Sequence, residues 1–332
     1  FMAGQFARYA YHLLQRHGVR VSFSPTPAPL AAVELALEQK RADTALIISA
    51  GNRPFWYNGM SVLAPLDVSP LQGEPTDAEH YPAILFPPDA LEVSDSTQVD
   101  LRTPYLEMLR DAVDLETVRR ATLTLFVDPM NGATSGYLPA ALGEGGQTKA
   151  IEINREVDPL FGRQPPQPSE SGLNRLRKLV KESDSHLGIA LSSDGRALGV
   201  ADNTGEMVSL LDVTLLLAQY LNRQYRQRGL IVAPLPAEGA PDPANGIRAW
   251  EDAFGLKVEL VADPAARIVE LLSQDRNSLL VGTTASGEIT LGRYGATPDA
   301  ILAALVLIES VARAGTRLRS LLDDLKGKSA KT

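Results

Sequence analysis

Residues 46–59 of this chain read Leu-Ile-Ile-Ser-Ala-Gly-Asn-Arg-Pro-Phe-Trp-Tyr-Asn-Gly. The apolar run at 45–48 predicts a short strand that leads straight into a polar loop. The residues before it predict a helix over 4–17, a strand over 19–23 and a second helix over 30–40. Helix and strand therefore alternate around this stretch, which is typical of a layered α/β domain.

The same alternation continues in two further units. The second unit has predicted helices over 103–112 and 170–183 and predicted strands over 122–127, 150–154 and 187–191. The third has predicted strands over 229–233, 256–261, 278–282 and 288–292 and predicted helices over 246–254, 264–274 and 298–314. Three units of similar size suggest one domain repeated three times. We place their limits at 1–100, 101–221 and 222–325, followed by a polar tail over 326–332.

The amino-acid composition excludes several classes of protein and of functional site. The chain has 332 residues, with 44% hydrophobic and 22% charged residues, as in an ordinary globular protein. A net charge of −8 disfavours binding to nucleic acid or to an anionic membrane. The absence of cysteine excludes disulfides, thiolate metal sites and a cysteine nucleophile. No apolar run has the roughly 18–20 residues of a membrane span, and no signal peptide is visible. We expect a soluble, cytoplasmic protein.

The loop within residues 46–59 resembles the phosphoserine loop of the α-D-phosphohexomutases, the superfamily of phosphoglucomutase and phosphomannomutase. That loop usually reads Thr-Ala-Ser-His-Asn-Pro and is followed by Tyr-Asn-Gly. The positions that match here are Ser49, Ala50, Pro54 and 57–59. The resemblance places the phosphorylated serine on Gly51, the histidine on Asn52 and the asparagine on Arg53.

Gly51 changes the chemistry that this loop can perform. Glycine has no hydroxyl, so it cannot carry a phosphoryl group. Ser49 lies two residues earlier, and a displacement of that size defeats in-line attack. We therefore expect no catalytic residue in the loop formed by Ser49, Gly51, Asn52 and Arg53.

The resemblance continues in order along the chain. Segments 127–133, 157–168, 187–191 and 298–309 are each similar to a family segment. The resemblance implies an α/β fold of three consecutive domains, each a mainly parallel sheet between helices. The family adds a fourth domain with an Arg-x-Ser-Gly-Thr phosphate loop, and no segment here matches it. We expect that domain, and the first strand of domain one, to be missing or cut away.

A second family loop binds Mg²⁺ through the pattern Asp-Gly-Asp-Ala-Asp-Arg. Residues 192–197 read Ser-Ser-Asp-Gly-Arg-Ala, so the resemblance leaves one carboxylate, Asp194, and replaces the third by Arg196. Mg²⁺ prefers several oxygen ligands, and an arginine repels it. We expect no cofactor here, although Mg²⁺ is what the family uses. Two interpretations stay open: a plain surface turn, or a phosphate-binding loop in which Arg196 pairs with Asp194 or with a phosphate.

A third family loop reads the sugar hydroxyls through the pattern Gly-Glu-x-Ser-Gly-His. Residues 283–288 read Thr-Thr-Ala-Ser-Gly-Glu, so Ser286 and the following glycine match. Thr284 replaces the glutamate, which weakens sugar binding, and Glu288 replaces the histidine and would repel a phosphosugar. We predict a structural turn between two strands.

These changes lead to two competing hypotheses on function. The first is a catalytically degenerate phosphohexomutase-like protein that binds another protein or itself, as a scaffold, subunit or regulator. The alternative is a protein that binds a phosphosugar or a nucleotide sugar, with Arg53, Arg196, Ser286 and Arg293 as contacts, or that keeps residual phosphoglucomutase/phosphomannomutase activity in carbohydrate metabolism.

Overall fold

Three sheets follow one another along the part of the chain that the structure describes. The computed structural model describes residues 2–51, 58–64, 92–156, 158, 160–237, 239 and 243–329. Among these residues, no helix is long and apolar enough to cross a membrane. The sheets have two, four and four strands.

The first sheet is a two-stranded hairpin. The elements of this unit are α1 (Ala3–Arg16), α2 (Leu30–Glu38), β1 (Ala45–Ser49) and β2 (Gly59–Leu63). Ser49 pairs with Gly59, so the chain reverses directly after the loop and β2 must run antiparallel to β1. The expected parallel sheet is therefore wrong for the described part of this unit.

The strand predicted over 19–23 is also wrong. Among the residues that the structure describes, Phe23 alone finds a partner for this segment, in an isolated bridge with Gln98, and Val19 is exposed. A strand needs a continuous ladder of partners, and this segment meets its neighbour at one residue.

The second sheet is mainly parallel. The elements of the second unit are α3 (Arg102–Asp111), α4 (Leu115–Arg120), β3 (Thr124–Asp128), α5 (Tyr137–Leu142), β4 (Lys149–Glu152), α6 (Asn174–Glu182), β5 (Leu187–Leu191) and β6 (Leu198–Asp202). The strand order is β4-β3-β5-β6, and only β6 runs antiparallel to its neighbour.

The third sheet repeats this scheme. The elements of the third unit are α7 (Leu210–Tyr225), β7 (Leu230–Pro234), α8 (Ala244–Phe254), β8 (Lys257–Val261), α9 (Pro264–Gln274), β9 (Leu279–Thr283), β10 (Ile289–Thr290), α10 (Ala300–Ala314) and α11 (Leu318–Ser329). The strand order is β10-β9-β7-β8, and only β10 is antiparallel. The expected α/β fold is confirmed, with parallel sheets in the second and third units.

Several elements were not predicted from the sequence. They are β2, α4, β6, α7 and α11. Helix α7 runs across the predicted limit between residues 221 and 222, and the limits of the three domains stay a prediction. Helix α11 ends at Ser329, so the predicted polar tail begins inside a helix.

The second and third sheets meet edge to edge. Strands β6 and β10 are the antiparallel edge strands of their sheets. The backbone N–H of Leu198 donates to the carbonyl of Gly287 at 3.0 Å, and that of Ile289 donates to the carbonyl of Arg196 at 3.1 Å. These two bonds pair the start of β6 with the start of β10. The backbone groups of both edge strands are therefore not left unpaired at this point. We call this contact the sheet junction.

Helix α10 is the centre of the shared core. All of its residues from 300 to 311 are buried, and it contacts α4, α5, α7, β5, β6 and β10. Its sequence is apolar on every side from 300 to 308, as expected of a helix that is buried all round, and the buried Glu309 and Ser310 follow. The helix therefore ties the second unit to the third directly behind the sheet junction.

Candidate functional site

The turn over residues 192–197 lies where several segments cross. The carbonyl of Ser193 accepts from the N–H of Ala133 at 2.8 Å, and its own N–H donates to the carbonyl of Pro166 at 3.1 Å. The carbonyl of Gly195 accepts from the N–H of Ala300, at the start of α10, at 2.9 Å. Both Ser193 and Gly195 are buried. A plain surface turn is therefore wrong, because neighbouring backbone segments cover it.

Two glycines make this crossing possible. A Cβ on Gly132 would lie 2.2 Å from the Cα of Ser193, closer than any real contact. Gly195 has a φ of +81°, and a Cβ there would lie 3.0 Å from the Pro29 side chain, just before α2. The turn thus touches all three units. A side chain at Gly132 would push apart two segments of the second unit, and one at Gly195 would press on the first unit at Pro29.

The carboxylate of Asp194 is used inside its own turn. Its Oδ1 accepts from the Ser192 hydroxyl at 2.6 Å and from the backbone N–H of Arg196 at 3.2 Å. The Ser192 oxygen in turn accepts from the N–H groups of Arg196 at 3.1 Å and Ala197 at 2.9 Å. The carboxylate and the hydroxyl therefore hold the turn closed.

The guanidinium of Arg196 points across the sheet junction. Its Nη2 lies 2.8 Å from Oε1 of Glu288, and the two side chains are 34% and 15% exposed. The Oε2 of Glu288 accepts from the Thr284 hydroxyl at 3.3 Å. Arg196 thus contacts Asp194 only through its backbone N–H, while its charge pairs with Glu288. The proposed pairing of its side chain with Asp194 is not what forms.

The segment 284–288 is a tight turn between β9 and β10, as predicted. The N–H of Thr284 donates to the carbonyl of Glu288 at 3.0 Å, and the N–H of Gly287 donates to the carbonyl of Thr284 at 2.9 Å. The hydroxyls of Thr284 and Ser286 lie 2.8 Å apart. Ser286 is exposed, and so is Arg293, which follows β10.

The donor set of the 192–197 turn does not fit Mg²⁺. That ion needs near-octahedral oxygen ligands and is usually held by one or two carboxylates with waters. The turn has one carboxylate, whose Oδ1 already accepts two hydrogen bonds, and the guanidinium of Arg196 in the same turn pairs with Glu288. Within the described ranges, no group of three or more histidine, aspartate or glutamate side chains could hold a metal ion.

The loop after β1 carries Gly51, the residue onto which the sequence comparison above places the phosphorylated serine. The N–H of Gly51 donates to the Ser49 hydroxyl oxygen at 2.9 Å, and Gly51 has a φ of +56°. A Cβ at Gly51 would meet nothing within 4 Å. Asn52 and Arg53 lie outside the described residues, so their predicted roles stay predictions.

Sequence reasoning noted Asp128 only as part of a matching segment. This side chain is buried at the end of β3, where Oδ1 accepts from the N–H of Met130 at 2.9 Å and Oδ2 accepts from Asn154 Nδ2 at 2.8 Å. Burial raises the pKa of Asp128, and these two bonds oppose the rise. Asp128 therefore shapes the segment that carries Gly132 towards the 192–197 turn.

Asp299 caps α10 beside the same turn. Its Oδ1 accepts from the N–H of Leu302 at 2.9 Å and from the Tyr105 hydroxyl at 2.8 Å. Burial raises the pKa of Asp299 to about 6, and the charge of Glu34 adds to the rise. The Glu34 carboxylate holds the N–H groups of residues 296 and 297 at 2.7 and 2.8 Å. An aspartate just before an apolar run is the sequence signal for such a cap.

Replacing Asp299 by Asn should remove a pH-dependent part of the stability. Because the folded pKa of about 6 exceeds the ordinary 3.8, the folded state binds this proton more tightly. Its contribution is fully present below pH 3.8 and is lost as the pH rises through 6. Between about pH 5 and pH 7 the wild type should lose about 1 kcal/mol relative to Asp299→Asn. Urea unfolding at both pH values measures this difference, and parallel changes in the two proteins would contradict it.

The family model and the relatives that this chain matches all carry the names of phosphohexomutases. A sequence model described as "Phosphoglucomutase/phosphomannomutase, alpha/beta/alpha domain II" matches residues 103–205. A phosphoglucomutase/phosphomannomutase of Thermococcus kodakarensis is 24% identical over 92% of this chain and 65% of its own length. A probable phosphoglucosamine mutase of Pyrococcus abyssi is 27% identical over 90% of this chain and 62% of its own length. The chain thus spans less than two thirds of the length of these relatives.

Solved structures share the fold. A putative phosphomannomutase from Thermus thermophilus superposes with a TM-score of 0.73 and 21% identity, over 95% of this chain and 70% of that chain. A phosphoglucomutase/phosphomannomutase family protein from Burkholderia thailandensis gives a TM-score of 0.64 at 18% identity, over 90% of this chain and 63% of that chain. At these identities the likeness concerns the fold alone.

Proposed function

This chain belongs to the α-D-phosphohexomutase superfamily, and we propose that it acts by binding another protein or itself, without phosphoryl transfer. In this proposal the chain is a catalytically degenerate member whose domains serve as a scaffold, subunit or regulator. A protein can keep a fold after its catalytic residues have been replaced, because activity depends on the residues of a site and not on the fold as a whole.

The observation that carries the proposal is the state of the 192–197 turn. Phosphoryl transfer depends on a metal ion that neutralises the developing charge. Here Asp194 accepts from the Ser192 hydroxyl and from a backbone N–H, and the neighbouring Arg196 is paired with Glu288. One oxygen of the only carboxylate in this turn, Oδ1 of Asp194, is therefore used to close the turn.

The loop after β1 supports the same proposal. Gly51 stands where the resemblance puts the phosphorylated serine, and glycine has no hydroxyl that could accept a phosphoryl group. The hydroxyl nearest in sequence, that of Ser49, accepts the N–H of Gly51 and so closes a local turn. In this proposal, the chain therefore lacks both the hydroxyl that would carry the phosphoryl group and most of the carboxylates that would bind the metal ion.

The alternative is a phosphosugar-binding or residually active protein, in line with the mutase names of the relatives. Of its proposed contacts, Arg196 is paired with Glu288, and Ser286 lies beside the Thr284 hydroxyl. Arg293 is exposed and Arg53 lies outside the described residues. The paired state of Arg196 disfavours this alternative, since a phosphate would have to compete with Glu288.

A mutase assay tests the proposal. The purified chain is incubated with glucose 1-phosphate, mannose 1-phosphate or glucosamine 1-phosphate, together with Mg²⁺ and the matching bisphosphate. The Thermococcus kodakarensis relative serves as the positive control. We expect no turnover above buffer from this chain. Turnover that rises with its concentration and follows it through a second purification step would refute the proposal.

A thermal-shift screen against the same sugar phosphates separates the two functions. We expect no shift of the unfolding midpoint for the wild type, because Arg196, the candidate cation in the 192–197 turn, is already paired with Glu288. A reproducible rise that disappears in Arg196→Ala would favour the phosphosugar-binding alternative.

A further inference from the structure

We propose that Arg196 and Glu288 form a latch that holds the second and third units together at the sheet junction, in place of a divalent ion. This inference goes beyond the proposed function, because it concerns how the loop cluster is held. It follows from the misfit between Mg²⁺ and the 192–197 turn.

The first argument is the position of the ion pair. Arg196 lies immediately before β6 and Glu288 immediately before β10, the two edge strands that meet. The carbonyl of Arg196 accepts from the N–H of Ile289 at 3.1 Å, while its guanidinium pairs with Glu288 at 2.8 Å. Arg196 therefore contacts two adjacent residues of the third unit, Ile289 through its backbone carbonyl and Glu288 through its side chain.

The second argument is charge balance. Asp194 and Glu288 bring two carboxylates to this junction, and like charges at one place repel each other. Arg196 contacts both, through its backbone N–H at 3.2 Å from Asp194 and through Nη2 at 2.8 Å from Glu288. The guanidinium of Arg196 therefore balances the charge of Glu288, while a neutral backbone N–H of the same residue holds Asp194.

The third argument is burial. Glu288 is only 15% exposed, and its second oxygen is taken by the Thr284 hydroxyl. The Nε of Arg196 is buried, with no hydrogen-bond partner among the described residues. Removal of one partner of a largely buried ion pair is costly, because the other charge is then left uncompensated. Breaking this pair should therefore loosen the junction itself.

Hydrogen exchange of two amides tests the latch. The N–H groups of Leu198 and Ile289 donate across the junction, so their exchange reports its opening. We expect roughly tenfold faster exchange at both amides in Arg196→Gln and in Glu288→Gln. The double variant should be no faster than either single variant, because one interaction can be lost only once.

A matched control is available inside the third unit. Arg267 pairs with Glu259 at 2.9 Å and is 29% exposed, close to the exposure of Arg196. Arg267→Gln should leave exchange at Leu198 and Ile289 unchanged. If the Arg196→Gln variant does not fold, Arg196→Lys keeps a cation and should retain most of the protection.

The proposal is overturned by either of two outcomes. In one, the single variants exchange as slowly as the wild type, or their effects multiply in the double variant. In the other, millimolar Mg²⁺ slows exchange at these amides in the wild type, or EDTA speeds it, which would mean that a metal holds the junction. Neither readout uses turnover, so this test can fail while the proposed function stands.

Discussion

Gly132→Ala should lower the free energy of unfolding by about 3 kcal/mol or more, the upper end of the cost of overpacking. A Cβ at this position would lie 2.2 Å from the Cα of Ser193 and 2.3 Å from its carbonyl oxygen. Backbone atoms cannot rotate away as a flexible side chain can. Ser193 is also held by its bonds to Ala133 and Pro166, so the clash must separate whole segments.

A second glycine serves as the control for this prediction. Gly246 lies in α8, and a Cβ there would meet nothing within 4 Å. Gly246→Ala should therefore raise the free energy of unfolding by roughly 0.5–1 kcal/mol, because alanine loses less backbone entropy in a helix. Denaturant unfolding of both variants measures the contrast. Equal shifts in the two proteins would show that the close approach at Gly132 does not exist.

Glu309→Ala should cost about 3–5 kcal/mol, as expected when one partner of a buried charged network is removed. Glu309 is 0% exposed in the middle of α10. The Tyr225 hydroxyl donates to both of its carboxylate oxygens at 2.8 Å, and the N–H of Asp114 donates to Oε1 at 3.2 Å. Arg313 lies 3.5 Å from the same oxygen. The alanine variant removes the acceptor of the Tyr225 hydroxyl, whereas the N–H of Asp114 still has the Tyr225 oxygen at 3.2 Å and Arg313 still pairs with Asp114 at 2.7 Å.

The hydroxyl of Tyr225 acts as the hydrogen-bond donor to Glu309 in this network. Burial, and then the hydrogen bond to Glu309, raise the pKa of Tyr225 well above its ordinary value. The hydroxyl therefore stays protonated at physiological pH and needs an acceptor. Glu309→Gln keeps one carbonyl oxygen in place, so we expect it to lose less stability than Glu309→Ala.

An exposed glutamate gives the comparison for this second prediction. Glu270 lies on α9, where its side chain is 56% exposed and pairs with Arg267 at 2.8 Å. Glu270→Ala should change the free energy of unfolding by less than about 1 kcal/mol, as is usual for surface ion pairs. Urea unfolding of the three variants tests the ranking. A loss for Glu309→Ala as small as that for Glu270→Ala would contradict the role of the buried network.

Periodicity along the chain was enough to predict most of the framework. The strand over 187–191 and the helix over 264–274 agree with Leu187–Leu191 and Pro264–Gln274. Both have a clear apolar pattern and recognisable ends, which are local properties. The strand over 19–23 had an alternating pattern as well, but it found one pairing partner only.

The elements that were missed depend on distant partners. Strand β6 is completely buried and pairs with β5 as the antiparallel edge of its sheet. Helix α11 contacts α7, α8 and α10, and Arg319 at its start pairs with the buried Asp202 at 2.8 Å. Neither arrangement leaves a strong local signal, because the residues that stabilise it lie elsewhere in the sequence.

The amino-acid sequence by itself determined the α/β class, the order of the strands and helices it predicted, and which chemical groups are present at Gly51 and Arg196. These follow from side-chain type and from spacing along the chain. Only the tertiary structure decided that the 192–197 turn is buried, that Asp194 closes it and that Arg196 pairs with Glu288. The physical reason is that a charge selects its partner by distance and burial in space, and residues far apart in sequence become neighbours only when the two sheet edges meet.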